Sequence, residues 1–428
     1  MSLLDYLMIA IRVAFSAFVP LCFVAVCVWM ERRGAGYFQD RSGPNRAGIF
    51  GFRAAGLVQN LADGLKLAFK EDVISDHIKH KFFFVIAPII VFFTAIVSFA
   101  VVPYADTLVL EGKSYMMQGI PVDLGILWFL ALAGFSVYGI ILAGWSSSNK
   151  YGILGSLRSA CQVISYEIPM GLAIVSLLVV YGTVNLNEMA QFQGKLLFGF
   201  IPMWGAVLQP LGMVIFIIAA FAECNRTPFD LAEGESEIVA GFHVEYSAMK
   251  FAVFFMGEYV AMFASSAIIV TLFFGGYQIP FLTTETLINF AKPVAFLLMV
   301  ALPVVMYFFT GWIRRSNVSH YPRENDPRVF EANVYIKCFW GLTVILELVL
   351  LAILFSASGG SAASIFVALL QICTLLLKVT MMIFVFIWVR WTLPRFRYDQ
   401  LQKLGWQMLL PLALLNIFIT SAVVVALS

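Results

Sequence analysis

The chain has 428 residues, 61% of them hydrophobic and 12% charged, with a net charge of +2 and a mean hydropathy of +0.91. Soluble proteins run at about a quarter charged residues, so this chain cannot cover a water-facing surface, and a soluble globular fold is excluded. A balance so close to neutral says nothing in favour of a nucleic-acid partner, and none is expected.

The reading is an all-α polytopic membrane protein forming one integral domain, 1–428. Apolar stretches of about 20 residues recur, each long enough for a hydrocarbon core of about 30 Å. Backbone polar groups there must be satisfied within each span, which favours helices, and the ten-residue alternation of a barrel is absent. Ten spans are expected, near 7–30, 82–102, 123–145, 162–182, 205–222, 251–274, 293–313, 338–357, 364–389 and 407–427. The first apolar run lacks a basic leader and a small-residue cleavage site, so it reads as a retained helix. Six cysteines stand at Cys22, Cys27, Cys161, Cys224, Cys338 and Cys373. They form no CxxC pair and no Cys/His group with metal spacing, so no iron–sulfur cluster or zinc is expected in this chain. With no G-x-G-x-x-G or P-loop pattern, nucleotide chemistry would come from another chain.

Positive charge sets the orientation. Arg32, Arg33, Arg41, Arg46, Arg53, Lys66, Lys70, Lys79 and Lys81 lie in the first loop, and the later odd-numbered loops hold most of the rest. The other side holds only Lys113, Lys195 and Lys292. The odd loops are therefore expected in the cytoplasm and both termini outside. The first loop, 31–81, contains an amphipathic stretch from Gly56 to Lys70. Gln59, Asp63, Lys66 and Lys70 fall on one helical face and Leu57, Leu61, Leu65 and Ala68 on another. It reads either as a surface helix that only anchors the loop or as one wall of a site at the membrane interface.

Glu167 lies inside the fourth span, two residues before Pro169. An ionisable residue at that depth is a functional candidate, with a neighbouring arginine as the structural alternative. Pro169 removes a backbone donor and can kink the helix.

The fifth loop, 222–258, concentrates acid. Glu223, Asp230, Glu233, Glu235, Glu237, Glu245 and Glu258 stand against only Arg226 and Lys250. Carboxylates crowded beside a membrane repel one another, which raises the pKa of some of them and marks either a proton-handling site or a solvated loop. Thr227, Pro228 and Asp230 have the spacing of a helix start, with Thr227 as N-cap. On a regular helix Glu233 and Glu237 would share a face and Glu235 would not. His243 stands alone and reads as structural. Two further spans enclose a polar loop and carry Glu347, and Ser356 to Ser361 reads as a short outer turn. The last cytoplasmic loop, WVRWTLPRFRYDQL, is basic with interleaved aromatics, as expected of positive-inside charge with interface anchors.

Five stretches in order, ERRGAGYFQDRSGPNRAG, QNLADGLKLAFKED, GWSSSNKYGILGSLRSACQVISYEI, AECNRTPFDLAEGESEIVAGFHVEYSAMKFAVFFMGEY and WVRWTLPRFRYDQLQKLGW, resemble the quinone-chamber membrane subunit family of respiratory complex I. The resemblance covers roughly 1–280 and 364–428, and it weakens at KEDVISDHIKHK, which leaves the path after Asp72 open. It implies an eight-helix core with 290–360 as a lineage-specific insertion of two helices. It implies a subunit of a proton-pumping NADH–quinone oxidoreductase in a bacterial cytoplasmic membrane, with a mitochondrial inner membrane as the lesser alternative. The chain would form the entry tunnel and chamber for quinone, the substrate, and would bind no cofactor alone. FMN and iron–sulfur clusters would sit in partners. Those partners would be peripheral-arm iron–sulfur subunits, small membrane subunits and antiporter-like pumping subunits, all within membrane lipid. By position, the resemblance implies a proton relay of Asp63, Glu167, Glu223, Glu233, Glu235, Glu237, Glu245 and Glu258. Arg32, Arg41, Arg158 and Arg226 would balance charge or line the tunnel, and Phe255 would contact quinone. The same fold would also serve in a membrane-bound hydrogenase or a relative with a donor other than NADH. A free-standing cation–proton transporter and a passive anchor for a peripheral arm are the remaining readings. The transporter would call for an inverted repeat, and none is visible.

Overall fold

The computed structural model describes residues 3–41, 43–44, 46–49, 52–110, 112–197, 199–317, 327–355 and 361–427. For 235, 236, 316, 317, 327, 328 and 427 it describes the backbone only. In chain order the helices are α1 (Leu3–Phe38), α2 (Leu57–Phe69), α3 (Lys81–Phe99), α4 (Gly125–Ser146), α5 (Lys150–Tyr181), α6 (Leu186–Phe192), α7 (Gly205–Leu208) and α8 (Pro210–Glu223). They continue as α9 (Glu235–Ile238), α10 (Ala248–Phe273), α11 (Thr284–Asn289), α12 (Ala291–Asn317), α13 (Pro327–Phe355), α14 (Ser361–Thr392), α15 (Tyr398–Lys403) and α16 (Leu410–Leu427). Two short antiparallel hairpins, Leu108–Leu110 with Lys113–Tyr115 and Leu196–Leu197 with Ile201–Pro202, lie in the connections.

Among the described residues nine helices are long and apolar enough to cross a membrane. The tenth expected span, 205–222, is α8, with only 14 residues, or about 21 Å at 1.5 Å per residue. The reason is local. Pro210 starts a new helix, and Gln209 before it is non-helical at φ −136°, ψ 60°. The Gln209 side chain instead joins a buried polar group, donating to Thr420 Oγ1 at 2.7 Å and accepting from Asn416 Nδ2 at 2.9 Å. Such interhelical hydrogen bonds hold helices together where lipid supplies no hydrophobic drive.

Helix α10 is the axis of the bundle. Its apolar window is 72% buried inside the chain, against 11% for α12 and for α13, which lie at the margin. Helices α3 and α4 approach closely because Gly139 leaves room. A Cβ there would stand 2.5 Å from Val91 Cγ2 and 3.0 Å from Ala87 O. At its far end α10 is held by Lys378 of α14, whose ammonium donates to Phe274 O, Gly276 O and Gln278 O at 2.8, 3.0 and 2.7 Å. A cation on these terminal carbonyls is favourable both as a cap and against the helix dipole.

Helix α2 forms where the periodicity places it. Its leucines, Leu57, Leu61 and Leu65, stay exposed, while Asn60 donates to Ala25 O of α1 at 2.9 Å. After Asp72 the chain runs to α3 without a helix. It is tied down by Lys250 to Asp72 at 2.7 Å, by buried Ile78, and by His80 stacked on Trp145 at 4.7 Å. The polar loop at 318–326 and the turn at 356–360 fall outside the described residues.

Candidate functional site

The segment after α8 does not form the helix expected at Thr227. Its backbone groups are claimed by other elements. Gln162 of α5, fully buried, reaches Ala222 O at 2.6 Å, Asn225 Oδ1 at 3.1 Å and Phe229 O at 2.7 Å through its side-chain amide. The Phe396 N–H donates to Pro228 O at 3.1 Å. A helix would need those carbonyls for itself, so the chain crosses in turns and holds its charged side chains inward. Gly234 is left-handed at φ 41°, which breaks the expected helical face. Glu233 points into the protein and Glu237 out of it.

Arg226 stands at the centre, 4% exposed. Its Nη1 lies 3.5 Å from Glu31 Oε2 of α1, its Nη2 lies 3.8 Å from Glu258 Oε2 of α10, and its guanidinium stacks on the Tyr259 ring at 4.1 Å. Planarity and multiple donors let one arginine serve two carboxylates and a ring at once. The Tyr259 hydroxyl donates to Glu31 Oε2 at 2.7 Å, and Arg390 Nη1 of α14 reaches Glu31 Oε1 at 2.5 Å. Beside this group Arg395 donates to Asp230 Oδ2 at 2.8 Å. Burial first, and Glu233 second, push the Asp230 carboxyl up to about 7 against the pull of Arg395, Arg390 and Arg226. Glu233 acts as a like charge on Glu258 and faces His243 Nδ1 at 3.9 Å.

From Glu258 the polar path continues inward. A cavity of about 50 Å³ is lined by Glu258, Glu223, Ser265, Thr94, Ser98 and Ser136 among apolar groups. That exceeds the roughly 10–15 Å³ a cavity needs to admit a water. On its far side Glu223 faces Glu167 across a closed gap bounded by Gly134, Val163 and Ala219. Glu167 Oε1 packs on Gly134, where a Cβ would come within 2.9 Å. Glu223 Oε2 is buried without a hydrogen-bond partner among the described residues, and no ion pair holds Glu167 among them. The arginine partner considered for Glu167 is therefore not found there.

The other candidates lie apart from this line. Glu237 pairs with Arg158 at 2.7 Å near the protein surface. Glu245 accepts from Asn149 at 2.8 Å and stands 3.6 Å from His77. Asp63 pairs with Arg32 and accepts from Gln59 at 3.1 Å, joining α2 to α1. Arg41 is exposed and donates to Gln39 at 2.6 Å. Phe255 lies between Phe251 and Tyr259, with ring centroids 6.1 and 4.9 Å away. The Glu235 side chain lies outside the described residues. Four residues at the centre were not singled out by sequence: Glu31, Tyr259, Arg390 and Arg395. Glu31 opens the ERRG run whose arginines drew attention, and the two late arginines read as membrane-side charge.

The bundle and its buried charge line can be set beside known proteins. A family model described as NADH dehydrogenase matches residues 11–323 and 333–421. The chain belongs to the NADH dehydrogenase family. It is 38% identical over 421 residues to the H subunit of the NADH-quinone oxidoreductase of Bdellovibrio bacteriovorus, an alignment spanning 94% of this chain and 92% of the relative. It is 39% identical over 392 residues to the corresponding H subunit of Salinibacter ruber, spanning 92% and 89%. It is 38% identical over 397 residues to the NADH-quinone oxidoreductase subunit 8 of Rhodothermus marinus, spanning 92% and 91%. As a member of this family the chain is a multi-pass membrane subunit.

Proposed function

We propose that this subunit, in an NADH-quinone oxidoreductase of a bacterial cytoplasmic membrane, forms the quinone tunnel and chamber with a peripheral iron–sulfur subunit. In this reading it passes the charge change of quinone reduction into the membrane. The observation that carries the reading is the row of acids that runs from Glu31 and Glu258, bridged by the buried Arg226, past a largely apolar cavity edged with serine and threonine hydroxyls, to Glu223 and the half-buried Glu167. FMN and iron–sulfur clusters in partner chains would supply electrons. Reduction of quinone takes two electrons and two protons, and each electron that arrives before its proton places negative charge at the head of the chamber.

This chain's groups respond to that charge. Asp230, whose carboxyl burial and Glu233 push up to about 7, can take up a proton in response. The Arg226 guanidinium is shared between Glu31 and Glu258 and can strengthen one pairing at the other's expense. A proton on Glu258 then reaches Glu223 through the cavity and Glu167 beyond it, toward the pumping subunits. Glu237 with Arg158, and Glu245 with His77, belong in this reading to the surface that meets the peripheral arm. Helix α2 and the foot of α1, pinned by Arg32 to Asp63, form the lipid-side mouth. A density map of the intact complex with a quinone-site inhibitor tests this. The expected map shows an iron–sulfur subunit against 224–246 and inhibitor near Arg226. An iron–sulfur subunit docked elsewhere, with this face bare, would overturn the reading.

A further inference from the structure

The helix pair α12 and α13 lies at the margin of the bundle, yet the foot of α13 is not peripheral. Glu331, 4% exposed, accepts the Arg53 backbone N–H at 2.5 Å. One turn on, the Tyr335 ring meets Phe52 with centroids 5.6 Å apart. Between these two on the helix Ala332 is buried. The partner of this face is the turn that launches α2. Ala54 and Ala55 are left-handed there, at φ 48° and 51°, a conformation that costs about 1 kcal/mol or more per alanine and persists only under external restraint. Restraint comes from two sides. From α1, Trp29 Nε1 donates to Ala55 O at 2.9 Å, and Arg33 donates to the same oxygen through Nε at 3.0 Å and Nη2 at 2.6 Å. From α13, Glu331 and Tyr335 close the opposite side. Gly56 follows at φ 98° with a Cβ position 2.6 Å from Pro44 O, so the turn has no slack, and Leu57 begins α2 at the next residue.

We infer that Glu331 is a positioning residue for α2: it holds the 52–56 turn in its strained form and so fixes where α2 lies against α1. Its effect on quinone rests on the reading of α2 as the tunnel mouth. This gives the α12–α13 pair a task in the core mechanism, acting through the first loop. A carboxylate suits the task because a backbone N–H donated to a charged acceptor is stronger than one donated to an amide or water.

The test uses the assembled complex in membranes, with two independent readouts. Hydrogen–deuterium exchange of 52–69 reports α2 directly. Quinone reductase kinetics report access, with NADH–ferricyanide activity as the measure of assembly. In Glu331→Ala, exchange across 52–69 should speed up about tenfold, the change expected from losing one charge-assisted hydrogen bond. The KM for a long-tailed quinone should rise several-fold while kcat holds. Glu331→Gln, which keeps an acceptor oxygen, should recover most of both. Tyr335→Leu disturbs the same contact without touching a charge and should shift exchange in the same direction. Faster exchange with an unchanged KM would leave α2 positioning standing and overturn the tunnel-mouth reading. Unchanged exchange in both Glu331→Ala and Tyr335→Leu would overturn the positioning role itself.

Discussion

Arg226→Met is the perturbation whose consequences follow most closely from the geometry. Arg226 holds Glu258 at 3.8 Å and Glu31 at 3.5 Å. At 3.8 Å two unit charges attract by roughly 4 kcal/mol when the effective dielectric constant is about 20. Methionine keeps much of the volume and removes the cation. Glu31 keeps Arg390 and the Tyr259 hydroxyl, so the loss falls on Glu258, for which no other cation lies within 4 Å among the described residues. Leaving one member of a buried pair unpaired costs about 3–5 kcal/mol. Glu258→Gln alone leaves Arg226 still paired with Glu31 and should cost about 1 kcal/mol. The double variant should recover about 2 kcal/mol relative to the sum, since the two residues form one interaction. Glu31→Gln placed on Arg226→Met should rescue less. The assay is a double-mutant cycle on the thermal inactivation midpoint of quinone reductase, with assembled complex quantified on native gels. Losses that simply add would refute the pairing of Arg226 with Glu258.

Three further outcomes follow from other contacts. Asp230, raised to about 7 from 3.8, binds more protons folded than unfolded, so its contribution to stability is complete below about 3.8 and is lost as pH rises through about 7. Asp230→Asn should therefore flatten the fall in thermal stability of the complex between about pH 4 and 7, and an unchanged slope would count against it. Gly134→Ala would bring a Cβ to 2.9 Å from Glu167 Oε1. The carboxylate is the flexible partner, so stability should change by less than about 1.5 kcal/mol while proton pumping falls several-fold, measured in vesicles. Lys378→Met strips three backbone carbonyls of their donor and should cost about 3 kcal/mol or more, read as a lower thermal midpoint with normal kinetics in the surviving complex.

What the sequence disclosed and what it hid divide along physical lines. Span positions depend on local hydropathy, and helices cover all of them, but α5 and α13 begin 12 and 11 residues before the spans expected at 162 and 338, and α8 is too short. There a single non-helical residue, Gln209, answers to Asn416 and Thr420 about 200 residues away. The acidic character of 222–258 was plain in the composition of that stretch. Which acids meet was not, because the meeting is made by distant partners. Glu31 and Tyr259 are 228 positions apart, and Arg395 reaches Asp230 from 165 positions away. Asp230 looked like a capping residue for a helix that cannot form once Gln162 has taken the carbonyls of Ala222 and Phe229. Lys378 lies inside an apolar run, and only the fold shows the carbonyls after α10 that it serves. Glu237 shares the composition of the stretch but not its interior. A residue's neighbours along the chain do not tell which face of a turn it takes when Gly234 reverses the path.

The central claim, that Glu223 carries charge between the Arg226 cluster and Glu167, is tested most directly by Glu223→Gln in complex reconstituted into vesicles. Proton translocation and quinone reduction would be measured together, with NADH–ferricyanide activity as the assembly control. The expected result is intact ferricyanide activity and a loss of proton translocation of about tenfold or more, because an amide in that position can neither take nor release a proton. Full translocation and full quinone turnover in the assembled variant would contradict it.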